Sequence, residues 1–153
     1  MPQLVKGGKY TYGWSRVGKG GKITIPPEAL YEYHLEEVKK LIVLPGSRTS
    51  GGFCLLSRDA LKKSILGNIL TQYPELDEFK MPKGEGWHHA GKTYCWVELQ
   101  NESIEMSLET LDVYGVREGE KLLVIRGSGL GIGFAVRGPI VESAEEYPEL
   151  EIF

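Results

Sequence analysis

Cysteine is scarce: the 153 residues hold two, Cys54 and Cys95, far apart. That excludes a disulfide framework and a metal knuckle. No apolar run approaches the ~18–20 residues of a membrane span. The opening stretch, MPQLVKGGKYTYGW, has no apolar core of the secretory kind. A reduced, cytoplasmic protein without membrane contact is the expectation. Hydrophobic residues at 41% and charged residues at 25% rule out global disorder and allow a buried core. Catalytic signatures are missing too. There is no G-x-S-x-G, no CxxC and no suggested Cys/His pairing, so no enzyme, no cofactor and no metal is expected.

Acid is absent from the first 27 residues, which carry Lys6, Lys9, Arg16, Lys19 and Lys22. The remainder is acidic, and the chain as a whole has a net charge of −3. Five glutamates, at 142, 145, 146, 149 and 151, crowd the last twelve positions. Basic charge concentrated in one segment can meet a polyanion even when the whole is acidic.

Self-similarity is the dominant signal. Shifted by 81 positions, residues 23–53 match 104–134 at 12 of 31 positions without a gap. Chance gives roughly two at average composition. Matches include Ile23 with Ile104, Leu30 with Leu111, Tyr33 with Tyr114, Lys40 with Lys121 and Phe53 with Phe134. Trp14 meets Trp96 at an offset of 82, and YPELDEF (73–79) meets YPELEIF (147–153) at 74. The chain reads as two units, 8–79 and 91–153, joined by a linker at 80–90. The seven extra residues of the first unit fall in its C-terminal helix, where two turns preserve the inward face.

Each unit predicts strand, turn, strand, short helix, strand, tip, strand. Tyr10–Val17 and Lys22–Ile25 are rich in β-formers. Gly18-Lys19-Gly20-Gly21 forms a hinge between them, and Pro26-Pro27 opens a short helix. Ser107 is the matching N-cap, and Gly115 suits a left-handed C-cap. Leu61, Ile65, Ile69 and Tyr73, four apart, predict one longer helix after the first hairpin. Fold class is therefore mainly β with short helices (α+β). One such unit has too little core to stand alone, whereas two can bury each other's apolar faces.

VGKGGKITIPPEAL…LEEVKKLIVL resembles the SpoVT/AbrB superfamily. The first copy supplies its Gly-basic-aliphatic-x-aliphatic-Pro step at Gly21 to Pro26. The second supplies its Gly-aliphatic-x-x-Gly-acidic-basic step at Gly115 to Lys121. Each copy departs from the pattern where the other keeps it: His34 and Val38 replace glycines, and Asn101-Glu102-Ser103 replaces the Gly-basic step. The resemblance implies a duplicated swapped-hairpin AbrB-like β-barrel, with one chain forming a pseudo-dimer. The aspartate-containing D-x-x-x-R motif of the tandem-repeat MraZ-like members is missing. By position, the resemblance also implies duplex-DNA binding and transcription regulation through Arg16, Lys19 and Lys22, with Lys6 and Lys9 nearby. Glu98, Glu102 and Glu105 occupy the matching region of the second copy and would repel phosphate. Symmetric readout then calls for a homodimer or higher homo-oligomer that brings two basic arms together. The rival reading is a protein-interaction or assembly module, antitoxin-like, using the acidic second repeat and C-terminus.

Other motifs carry less. Gly127 to Gly133 follows a strand but has no G-x-G-x-x-G register and no helix after it. His88-His89 reads as an exposed loop, and Cys54, aligned with Ala135, as a small buried residue. Trp14 and Trp96 read as shared core. Trp87, unmatched, reads as a contact surface.

Overall fold

The computed structural model describes residues 10–64, 67–127 and 130–153. Lys6 and Lys9 of the expected arm, and Ile65 of the expected helical stripe, lie outside the described residues. The first half runs β1 (Thr11–Arg16), a 3-10 turn (Lys19–Gly21), β2 (Lys22–Thr24), α1 (Pro27–Glu32), β3 (Lys40–Pro45) and β4 (Phe53–Ser57). Three short helices follow: α2 (Arg58–Lys63), α3 (Asn68–Gln72) and α4 (Pro74–Asp77). Then come β5 (Trp87–His89), β6 (Lys92–Glu98), β7 (Ser103–Glu105), α5 (Leu108–Val113), β8 (Lys121–Arg126), β9 (Ile132–Ala135) and α6 (Pro139–Ala144).

Seven strands make one sheet in the order β1-β8-β9-β4-β3-β6-β5, with every strand pair antiparallel. β2 and β7 form a separate two-stranded ribbon. Strands from the N-terminal and C-terminal parts of the chain pair with one another. β1 pairs with β8, and β6 pairs with β3, so each half's first strand joins the other half's third. The registers correspond: Trp14 faces Leu123 and Arg16 faces Lys121, while Trp96 faces Ile42 and Glu98 faces Lys40. Where the halves meet, residues 81 apart become direct partners. Ile23 faces Ile104 in the ribbon, and Phe53 faces Phe134 between β4 and β9.

β3 and β8 are continuous apolar runs because both of their faces are covered. One face of the sheet, with Leu41, Val43, Phe53, Leu55, Leu122, Val124 and Phe134, packs against Ile23, Ile104, Leu30 and Leu111 of the ribbon and of α1 and α5. On the other face, Ile42, Leu44, Leu56 and Trp96 lie under Leu61, Leu70 and Leu76 of α2, α3 and α4. Trp14, Leu123, Ile125 and Ala135 lie under Val141 and Ala144 of α6 and under Leu150. The two tryptophans thus occupy matching places beneath separate covers.

Three sequence expectations change. The single longer helix is three helices: α2 ends at Ser64, whose N–H and hydroxyl both bond the Leu61 carbonyl, and Pro74 opens α4. Proline restricts the residue before it, and Tyr73 is accordingly non-helical at φ −128° and ψ 83°. His88-His89 is not a loop but β5, paired with β6. Cys54 is only half-buried, while Cys95 is fully buried.

Both α1 and α5 end in the same six-to-one backbone motif. Leu35 N–H donates to Leu30 O, and Val116 N–H donates to Leu111 O, at 2.9 Å each. The left-handed residue is Gly115 in one, at φ 79°, and His34 in the other, at φ 56°.

Candidate nucleic-acid interface

The basic segment folds as a tight hairpin. β1 carries Arg16 to its end, and β2 turns back so that Val17 bridges Ile23 and Gly18 N–H donates to Lys22 O at 2.7 Å. Between them, Gly20 has φ 77° and Gly21 φ 89°. A Cβ on Gly21 would stand 2.0 Å from Met106 O, so only glycine lets the hinge approach β7 this closely. Arg16, Lys19 and Lys22 are all exposed. The structure therefore brings these three together on one hairpin. None of them forms an ion pair among the described residues.

The second half supports this hairpin with its 117–120 loop. Val17 N–H donates to Glu120 O at 2.7 Å, and Gly119 N–H donates to Val17 O at 2.8 Å. The Arg16 guanidinium donates to Gly119 O at 2.8 Å. Glu118 accepts from Gly20 N–H at 2.9 Å. Lys121, not among the basic residues expected at the site, stands opposite Arg16 and holds its ammonium 4.3 Å from the Trp14 ring centre. Its counterpart Lys40 lies 5.4 Å from Trp96. In the sequence Lys121 is marked by its match to Lys40 and by closing the Gly115–Lys121 motif, neither of which places it beside Arg16.

The matching hairpin of the second half, β6 and β7, is acidic. Asn101 and Glu102 both take positive φ, at 49° and 64°, and Gln100 and Ser103 exchange two backbone bonds of 2.9 Å, a tight two-residue turn. Glu102 and Glu105 are exposed and Glu98 is half-buried. The hairpins lie side by side along the ribbon, with Lys22 opposite Glu105 and Thr24 opposite Ser103. A cleft of about 400 Å³ opens there, lined by Gly20 and Lys22 from one hairpin and by Glu98, Asn101 and Glu105 from the other. Lys83 and Glu85 also line it.

A second polar cluster links the halves elsewhere. Arg126 of β8 grips Glu32 of α1 with two nitrogens at 2.8 and 3.1 Å, and the Tyr12 hydroxyl donates to the same carboxylate at 2.5 Å. The Tyr12 hydrogen bond and the guanidinium hold the Glu32 carboxyl below its ordinary range. Burial and the Glu32 bond push the Tyr12 hydroxyl up. Burial also pushes the Cys95 thiol up to about 12, which makes it a poor nucleophile at neutral pH.

Comparison with protein-family models, curated proteins and solved structures finds no match for the chain. Among the described residues, no helix is long and apolar enough to cross a membrane.

Proposed function

We propose that this chain is a tandem, swapped-hairpin protein of the SpoVT/AbrB kind that binds duplex DNA and regulates transcription. The reciprocal pairing of β1 with β8 and of β6 with β3 supports the swapped arrangement, in which one chain supplies both copies. The observation that carries DNA binding is the exposed hairpin presenting Arg16, Lys19 and Lys22 without ion-pair partners among the described residues, with Lys121 beside Arg16. A two-stranded hairpin fits a major groove, and lysine and arginine neutralise phosphate. Arg16 is the group suited to a phosphate or guanine fork, since its guanidinium is planar and always charged. Lys6 and Lys9, just upstream, extend the same basic stretch.

Replacing Lys19 and Lys22 by glutamate tests this reading in a gel mobility shift on mixed duplex DNA. The reading expects retardation of the wild-type complex at low salt and none with the double variant. Equal retardation of both proteins would remove the hairpin as the site.

One observation favours the rival protein-interaction reading. Glu118 sits on the hinge N–H and Glu105 stands opposite Lys22, so carboxylates border the cations and lower the local potential. On that reading the wild-type chain gives no shift even at low salt.

A further inference from the structure

The ribbon end of the molecule is electrically two-sided. One hairpin presents Arg16, Lys19 and Lys22, and its neighbour presents Glu98, Glu102 and Glu105. The boundary between them is the β2–β7 ribbon, where Ile23 faces Ile104. Charges of the opposite sign exist on each side: Glu118 and Glu120 border the basic hairpin, and Lys83 and Lys40, the latter opposite Glu98, border the acidic one. They reduce the contrast without reversing it, because Lys121 adds to the basic side and Glu85 to the acidic side.

A surface with cations on one side of a line and anions on the other is complementary to a copy of itself. Turned over by a two-fold rotation about an axis lying along the boundary, a second molecule sets its acidic hairpin on the first one's basic hairpin, and the reverse contact forms at the same time. A two-fold contact is isologous, so each complementary pair occurs twice. The arrangement comes from the internal repeat. Two hairpins of like shape present opposite charge from matching places, Arg16 in one and Glu98 in the other.

We propose that this face docks a second copy of the chain, the basic hairpin of each protomer against the acidic hairpin of the other. The contact covers Arg16, Lys19 and Lys22, so self-association and DNA occupy one surface and exclude one another. The dimer is then a closed, DNA-free form, unlike a dimer that pairs two basic arms for symmetric readout. Opposite charges at such a face give orientation and association rate as well as affinity. Exposed pairs of this kind weaken with salt, since the screening length falls from ~10 Å at about 0.1 M to ~3 Å at about 1 M.

Sedimentation of the full chain, without DNA, tests the proposal. The wild-type protein is expected to dimerise at low salt, with a dissociation constant that rises about tenfold or more at high salt. The variant Lys19→Glu/Lys22→Glu alone, and the variant Glu98→Lys/Glu105→Lys alone, are each expected to be monomeric. Mixed one to one, they are expected to form a heterodimer, because each supplies the sign the other has lost. That rescue also shows that both variants are folded. A wild-type chain that stays monomeric at low salt overturns the proposal, as do single variants that still dimerise or a mixture that does not. The DNA reading is tested separately, since Glu98→Lys/Glu105→Lys dissolves the dimer yet leaves the DNA hairpin intact.

Discussion

Phe53 and Phe134 stand 81 positions apart in sequence and face each other across β4 and β9, their rings stacked 4.7 Å apart at 17°. Both are buried, at 1% exposure, and the pair lies in the interior of the sheet where β4 meets β9. Truncating either to alanine is expected to cost about 3–5 kcal/mol, the usual range for a buried phenylalanine. The double variant should cost less than the sum of the singles by about 0.5–1.5 kcal/mol, the part belonging to the ring pair. Urea unfolding of the four proteins measures both quantities, and strict additivity would mean that the rings do not couple.

His34 and Gly115 occupy the same left-handed position at the ends of α1 and α5. A non-glycine residue there strains the backbone by about 1–2 kcal/mol. Part of that relief is offset by the extra freedom glycine has when unfolded. His34→Gly is therefore expected to raise stability by about 0.5–1 kcal/mol, and Gly115→Ala to lower it by about 1 kcal/mol. Thermal unfolding should move in opposite directions for the two changes.

The hinge glycines separate conformational strain from crowding. Gly20 and Gly21 both have positive φ, but a Cβ on Gly20 would meet nothing within 4 Å, whereas one on Gly21 would strike Met106 O. Gly20→Ala is expected to cost about 1 kcal/mol and Gly21→Ala about 3 kcal/mol. Equal losses in denaturant unfolding would contradict the close approach of hinge to β7.

Titration should act at both ends of the pH range. The Cys95 thiol is raised from 9.0 to about 12 in the folded chain. Its contribution is fully present below pH 9 and is lost as pH rises toward 12. Glu32 has the opposite sign: its folded carboxyl lies below the ordinary 4.5, so its contribution is present above that pH and is lost as the pH falls through the lowered folded value. Cys95→Ala should flatten the alkaline limb of a stability–pH curve, and Glu32→Gln the acid limb. In the folded protein at pH 8, Cys95 should resist thiol reagents. Rapid labelling of Cys95 would contradict its burial.

Much of this organisation is legible in the chain. The 81-residue repeat marks the two halves, and Gly18 to Gly21 and Pro26-Pro27 mark the hinge and the start of α1. Only the family resemblance implies a crossed arrangement; the pairing of β1 with β8 is not legible in the residues of β1, whose alternation is the same whichever partner it takes. Nor is the grip of Arg126 on Glu32, 94 residues away, or the reach of Glu118 to Gly20. Such contacts are set by tertiary geometry rather than by spacing. The stripe at 61–73 is not one helix for a different reason: its period of four is real, but Pro74 constrains Tyr73 and helix α2 ends at Lys63. The basic hairpin is visible as charge, whereas the approach of Glu118 and Glu120 to it comes from a loop distant in sequence.

The most direct measurement of the central claim is the affinity of the whole chain for duplex DNA across a range of salt concentrations, at chain concentrations kept below the dissociation constant of the self-dimer so that the basic hairpin is free. If Arg16, Lys19 and Lys22 each neutralise a phosphate, the logarithm of the binding constant should fall with the logarithm of salt at a slope of about 2.7, and more steeply if Lys6 and Lys9 join them. Lys19→Glu/Lys22→Glu should abolish binding. A slope near zero, or unchanged binding by the double variant, would contradict the account.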